Sequence, residues 1–217
     1  MIFDGNHVGV LSEVIQYLDV RTLERCKGVC HQWKRMCEET IDARYSNERQ
    51  PFRTNSELKA AVRSYRTVDH SEEIANTYGW PIGKWDVSML SDLSYVFDGC
   101  RSFNEDISEW DTSRVTRFDY MFCDAQSFNQ PIGSWDTSRV TRFDCMFCDA
   151  HSFNQPIESW DTSYGRDMSS MFRTASSFNQ PLRNWNTSTV VNMNRMFEGA
   201  TNFNQPLSDW NLSLIHI

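Results

Sequence analysis

A period of 25 residues governs the chain from residue 85 onward. Trp85, Trp110, Trp135, Trp160, Trp185 and Trp210 fall on it. So do Phe97, Phe122, Phe147, Phe172 and Phe197, and Phe103, Phe128, Phe153, Phe178 and Phe203, each of the last five followed by Asn. Coincidence does not hold three aromatic positions in register through successive copies. A period between about 20 and 50 residues marks an array of stacked repeats. A unit this small cannot bury its own apolar face and must stack on its neighbours.

The copy at residues 135–159, WDTSRVTRFDCMFCDAHSFNQPIES, shows the unit best. Residues 132–138 alternate apolar and polar side chains, with Ile, Trp and Thr suited to a strand. Phe143, Met146, Phe147 and Ala150 then stand at the spacing of one helical face. Thr141 with Asp144, and Thr116 with Asp119, resemble a capping box for that helix. The Ser-Phe-Asn-Gln-Pro stretch has no period and ends in Pro, so it reads as the return loop. The expected fold class is therefore α/β: a small helical unit, then a solenoid of five to six strand-helix-loop coils. Stacked Asn104, Asn129, Asn154, Asn179 and Asn204 are expected to form a ladder that satisfies backbone groups at the turn.

These residues carry a resemblance. WDTSRVTRFDYMFCDAQSFNQPI, over about residues 58–210, is similar to the BspA-like leucine-rich-type repeats of microbial surface proteins and many protist proteins. Trp-Asp, Met-Phe, Ala and Phe-Asn-Gln sit at that family's spacing. The resemblance implies a right-handed solenoid used for protein binding, with no chemistry of its own.

Residues 8–37 are built differently. Val10, Val14, Tyr17 and Leu18 share one helical face. Asp19 can start a second helix, in which Leu23, Cys26, Cys30 and Trp33 recur at helical spacing, and Gly28 favours a break. Three short helices are expected between residues 8 and 42, followed by a polar connector over 38–56 with Pro51. A bundle this small gains by burying a face on a partner. The pattern Val14-Ile15-x-Tyr17-Leu18-Asp19, Leu23, Val29-Cys30-x-x-Trp33 resembles the F-box. It departs at the start, where the usual Leu-Pro would fall near Asn6 and His7. The resemblance implies docking to a Skp-type adaptor through Val14, Leu18, Leu23, Val29 and Trp33, within a Skp–cullin–F-box-type ubiquitin ligase. A plain helical cap on the repeats would show similar apolar spacing.

The expected division is a helical F-box-like unit over 6–45, a connector and N-terminal cap over 46–79, and the repeats over 80–213. Ser56 is expected to cap a helix through Tyr65, with Leu58, Ala61, Val62 and Tyr65 on one face. Ser71 is expected to cap another. The copies at 110–134 and 135–159 differ only at Tyr120/Cys145, Gln126/His151 and Gly133/Glu158, which reads as a recent duplication. In the next copy Tyr164-Gly165-Arg166 replaces Arg-Val-Thr, so its helix is expected to start late. The final Leu-Ile-His-Ile suggests truncation.

Positions that vary between copies mark surface. They are the residue before each Trp (Lys84, Glu109, Ser134, Ser159, Asn184, Asp209), the residue four after it (Met89, Arg114, Arg139, Tyr164, Thr189) and the residue seven after it (Asp92, Arg117, Arg142, Asp167, Asn192). From these, Glu109, Arg114, Arg117, Arg139, Arg142, Tyr164 and Asn184 form the expected binding face for a protein substrate.

A net charge of −8 and a pI near 5.1 argue against a nucleic-acid partner. No apolar run is long enough for a membrane span. The opening MIFDGNHVGV lacks a basic region before an apolar run, so no secretory signal is expected. Seven Cys at irregular positions suit free thiols in a reducing compartment, cytoplasmic or nuclear. Cys145-x-x-Cys148 has the form of a redox or zinc pair, and Cys26, Cys30, His31 and Cys37 could suggest zinc. Repeat register and helical spacing account for them as core residues, and no metal or other cofactor is expected. Asp86, Asp111, Asp136 and Asp161 supply too few ligands per coil for calcium and are expected to bond backbone. No catalytic triad context or phosphate loop appears, so no enzyme is expected. The reading is a substrate-recruiting adaptor, monomeric outside its complex. The alternative is an extracellular BspA-like adhesion module, glycosylated at Asn186.

Overall fold

A computed structural model describes residues 15, 16, 18–28, 31–45, 49–65 and 71–210. Contacts divide it into two compact units. One holds the described residues up to Gln50 together with Arg63–Trp85, and the other holds Pro51–Val62 together with the described residues from Asp86 onward. The cut differs from the three consecutive segments expected.

The first unit is helical. Helix α1 (Val20–Cys26) begins at Asp19, whose Oδ1 accepts the N–H groups of Arg21 and Thr22, both at 3.0 Å. That satisfies two of the donors a helix start leaves unpaired. The Thr22 hydroxyl and these N–H groups hold the Asp19 carboxyl below its ordinary range. Helix α2 (His31–Arg44) takes in residues expected as connector. Cys37 and Ile41, four residues apart, extend its buried face past the polar run. Glu72 on helix α4 (Ser71–Tyr78) ties three elements: Oε1 accepts the Val20 N–H at 2.6 Å and Oε2 accepts the Tyr45 hydroxyl. The Trp80 indole donates to Glu24 at 3.0 Å, and its ring stacks on Tyr65 at 4.4 Å. The Arg21 guanidinium lies 5.7 Å from the Tyr65 ring centre and 5.8 Å from that of Trp80. Among the described residues two of its buried nitrogens find no hydrogen-bond partner, and the ring faces help to compensate the charge.

Helix α3 (Asn55–Tyr65) contributes residues to both units. Its cap is Thr54, not Ser56: the Thr54 hydroxyl accepts the Glu57 N–H at 3.1 Å, and Glu57 reaches back to the Arg53 N–H at 2.9 Å. Leu58, Ala61, Val62 and Tyr65 are all buried, as their spacing predicts.

The second unit overturns the α/β expectation. Among the described residues beyond Lys84 there is no helix, and the only strand pairing is one row of isolated parallel bridges, Asp92–Arg117–Arg142–Asp167–Asn192. The repeats are stacked turns. In residues 118–124 the N–H groups of Phe118, Tyr120, Phe122 and Asp124 donate to the next copy, at Arg142, Asp144, Met146 and Cys148 (2.8–3.0 Å). The alternate N–H groups close tight turns, Met121 to Phe118 and Cys123 to Tyr120. An α-helix would need each N–H to reach four residues back along its own chain. Here half are taken by the neighbouring copy. Tyr120, Asp124, Cys145 and Asp149 adopt left-handed backbone, φ 54–59°, which no helix tolerates in its interior.

The helical spacing was real but had another cause. Consecutive four-residue turns bring the same positions inward, and Phe143, Met146, Phe147 and Ala150 are fully buried. Likewise 132–140 alternates without pairing as a strand. Trp135 N–H turns back to Ile132 and Val140 N–H to Thr137. The capping pairs are also reassigned. Thr116 and Thr141 hydroxyls donate to carbonyls one copy back, at Ser91 and Thr116 (3.0 and 3.2 Å), and the aspartates pair with arginines. The copy with Gly165 has no helix to start late. Its Arg166 and Met168 keep the common register, and a methyl at Gly165 would lie 2.8 Å from Met168 Cε, so the Met168 side chain occupies that room.

One aromatic interior runs through the stack. Phe97, Phe122, Phe147, Phe172 and Phe197 stack at 5.4–5.7 Å, and Phe103 to Phe203 at 5.8–6.0 Å. The two columns touch within each copy, as at Phe147 and Phe153, 3.9 Å apart. Each fully buried Phe contributes about 1.5–3 kcal/mol by leaving water. The Trp135, Trp160, Trp185 and Trp210 indoles donate to carbonyls 28 residues earlier, at Ile107, Ile132, Ile157 and Leu182 (3.0–3.2 Å). Trp85 belongs to the helical unit and donates to Gly79 instead.

The Asn ladder forms. The Oδ1 atoms of Asn104, Asn129, Asn154 and Asn179 each accept the N–H of the next Asn and the side-chain amide of the following Gln, as Asn154 does from Asn179 (2.9 Å) and Gln180 (3.0 Å). A second ladder, unforeseen in the sequence, consists of buried threonines. Thr112, Thr137 and Thr162 donate to the carbonyls of Asp136, Asp161 and Asn186 in the next copy.

Candidate protein-binding surface

With the interior fixed by ladders, the variable rows are left outside. Arg114, Arg139 and Tyr164 stand one copy apart in a single row, and all are exposed, Tyr164 at 65%. Met89 and Thr189 extend the row, also exposed. Glu109 and Asn184, before their tryptophans, are exposed too. Val115 and Val140, next in sequence to Arg114 and Arg139, are fully buried and anchor the row.

Arg117 and Arg142 differ. Each is held by a bidentate pair in its own copy: Arg117 to Asp119 (2.9 and 2.9 Å) and Arg142 to Asp144 (2.9 and 3.0 Å). Asp119 and Asp144 are buried, so these guanidiniums neutralise interior carboxylates. The same row carries Asp92 3.8 Å from Arg117. It is a structural charge row as much as a surface one.

Asp86, Asp111, Asp136 and Asp161 each accept the N–H of the serine two residues on (2.9–3.0 Å). At Asp111 the Ser113 hydroxyl and N–H hold the carboxyl below its usual range. Among the described residues no group of three or more His, Cys, Asp and Glu is placed to hold a metal ion.

Cys145 and Cys148 are free thiols. Cys148 donates to Asp149 Oδ2 at 3.2 Å and accepts from Arg173 at 3.9 Å. Hydrogen bonding with Cys148 and burial push the Cys145 thiol well up; hydrogen bonding with Cys123, with burial, pushes Cys148 to about 12. A protonated thiol is a poor nucleophile and a poor metal ligand. Beside them lies a ring pair with no signature in the sequence: Tyr95 and Tyr120 stack at 4.6 Å, with the Lys59 ammonium 5.2 Å from the Tyr95 ring. Only stacking in register brings residues 25 apart face to face.

In the helical unit, Leu23 is fully buried, while Leu18 and Trp33 are half-buried. Val14 and Val29 lie outside the described residues. A groove of about 440 Å³ is lined by Ile15, Met36, Thr40, Ala43 and Arg44, among others. Arg44 lines the groove too and donates to the carbonyls of Leu18 (2.6 Å) and Gln16 (2.5 Å).

Residues 66–167 and 134–216 match a protein family described as "Mycoplasma protein of unknown function, DUF285", together more than half of the chain. The chain belongs to this family. Its repeat region is therefore BspA-like, as the Trp-Asp, Met-Phe and Phe-Asn-Gln spacing suggested. The match begins at residue 66 and leaves most of the helical unit outside it. No curated protein and no solved structure matches the chain.

Proposed function

We propose that this protein is a non-catalytic adaptor: the helical unit docks on a Skp-type protein, and the BspA-like repeats carry a protein substrate to a ubiquitin ligase. The F-box-like order of Val14, Leu18, Leu23, Val29 and Trp33 is the source of this reading. The observation that carries it is the groove beside α2. Met36, Thr40 and Ala43 recur along α2 at helical spacing and line it together with Ile15. Gln16, Glu39 and Arg44 line it as well, so such a trough suits an amphipathic helix from a partner, apolar along one face and charged beside it. Trp33, three residues before Met36, extends the same side of α2.

The test is capture of a recombinant Skp-type adaptor by the full chain. Recovery by the intact protein, lost with Met36→Asp or Trp33→Ala, supports the reading. No recovery with the intact, folded protein rejects it.

A second reading, an extracellular recognition module, comes from the resemblance of the repeats to BspA-like surface proteins; the family match covers these repeats and its description gives no function. Asn186 lies exposed in an Asn-Thr-Ser sequence, its Oδ1 accepting from Ser188 at 3.0 and 2.7 Å. Export with a glycosidase-sensitive shift that Asn186→Gln removes would select it over the adaptor.

A further inference from the structure

We propose that the row Arg114–Arg139–Tyr164, with Arg166, binds an acidic, extended peptide segment of the partner protein. The proposal names the ligand class for the repeat surface, and rests on the adaptor reading only for the idea that the repeats carry a protein.

Four observations lead here. First, Arg114, Arg139 and Arg166 are exposed, and among the described residues no ion pair takes up their guanidiniums, in contrast to Arg117 and Arg142. Second, the fold does not require arginine at these places. Met89 and Thr189 stand in the row of Arg114 and Arg139, and Thr116, Thr141 and Val191 stand in the row of Arg166. Third, parallel backbone bonds set adjacent copies about 4.8 Å apart, so Arg114 and Arg139 present like charges side by side. Facing like charges are destabilising and gain from an opposite charge laid across them. Fourth, the chain as a whole carries −8, which makes two exposed arginines one copy apart a local exception.

Charge complementarity defines the occupant. A guanidinium takes a carboxylate through two parallel N–H bonds. Tyr164, exposed at 65%, offers a flat apolar face at the next position for an aliphatic or aromatic side chain. Asp111, Asp136 and Asp161 run three residues before Arg114, Arg139 and Tyr164, each exposed. That parallel acidic row repels a continuous polyphosphate. It leaves room for a peptide whose carboxylates alternate with neutral side chains.

The test uses the full chain and a fluorescein-labelled ten-residue peptide of alternating Glu and Val, with a Gln/Val peptide and a single-stranded oligonucleotide as comparisons. Anisotropy at low salt should show the Glu peptide binding at least ten-fold more tightly than either. Arg114→Thr/Arg139→Thr, which installs the residue found at Thr189, should lose at least ten-fold of that affinity with an unchanged melting temperature. Arg183→Thr, an exposed arginine outside the row, should bind as the parent does. Equal binding of Glu and Gln peptides, tighter binding of the oligonucleotide, or parent-like binding by the double variant overturns the proposal. Adaptor capture by the same double variant is the separate control. Peptide binding without adaptor capture defeats the ligase reading alone, and adaptor capture without peptide preference defeats this inference alone.

Discussion

In the helical unit each polar contact occurs once. Glu72 holds Val20 and Tyr45, Glu24 holds Trp80, and Arg44 holds the carbonyls of Leu18 and Gln16. In the repeat stack each contact recurs at a step near 25: ring on ring, Asn on Asn, Thr on carbonyl, indole on carbonyl. The first unit is specified by particular partners, the second by a rule. A substitution in the helical unit should therefore have a fixed local cost. The same substitution in the stack should cost more in the middle than at the last described copy.

The largest expected effect tests that asymmetry. Phe147 packs on Phe122, Phe153, Phe172 and Trp160 and is fully buried. Phe147→Ala should lower stability by about 3–5 kcal/mol in denaturant melts. Phe203→Ala, at a half-buried ring with Phe178 and Phe197 as its stacking partners, should cost clearly less. Equal losses would break the comparison.

Next comes the ladder. Asn154→Ala strips the acceptor of the Asn179 N–H and one of the two acceptors of the Gln180 amide, and should cost about 1–3 kcal/mol. Asn204→Ala removes a side chain whose own N–H bond to Asn179 is made by the backbone. It should stay within about 0.5 kcal/mol of the parent.

The helical unit has a pH signature the ladder lacks. Burial and the Glu72 carboxylate raise the Tyr45 hydroxyl to about 12 from an ordinary value of 10.0. The unfolded chain loses this proton first, so the contribution is complete below pH 10 and falls as pH rises towards 12. Helical circular dichroism should therefore weaken more steeply over that window in the parent than in Tyr45→Phe. Identical profiles would remove Tyr45 as the cause.

The smallest effect belongs to the outer row. Tyr164→Thr, matching Thr189, should move the melting midpoint by less than about 0.5 kcal/mol of stability. A large loss would show that the row is part of the scaffold and not a free surface.

Burial was legible in the sequence and backbone path was not. The period, the aromatic register, the Asn ladder and the α3 face all followed from which residues recur. Phe143, Met146, Phe147 and Ala150 were rightly read as interior, but a helix and a run of four-residue turns bury the same positions. What separates them is the left-handed backbone at Tyr120, Asp124, Cys145 and Asp149, four residues without the usual glycine signature. Gly99 and Gly199 occupy the same place as Asp124 and Asp149 in other copies and, with hindsight, carry that signal. The variable rows were correctly placed outside at Arg114, Arg139 and Tyr164. Arg117 and Arg142 are half committed to buried Asp119 and Asp144, a role that reading rows one at a time conceals. In the helical unit, the Glu72 contacts join residues 27 and 52 apart, beyond the reach of any local pattern.

The ladders have a genetic corollary. Because every rung offers its successor the same acceptors it received from its predecessor, a whole extra copy can be spliced in without inventing a single contact. The near-identity of 110–134 and 135–159, three differences in 25 positions, is what such a splice leaves behind. Relatives should then differ in length by multiples of one unit, and a partner reading the outer row would find its landing strip lengthened or shortened in equal steps.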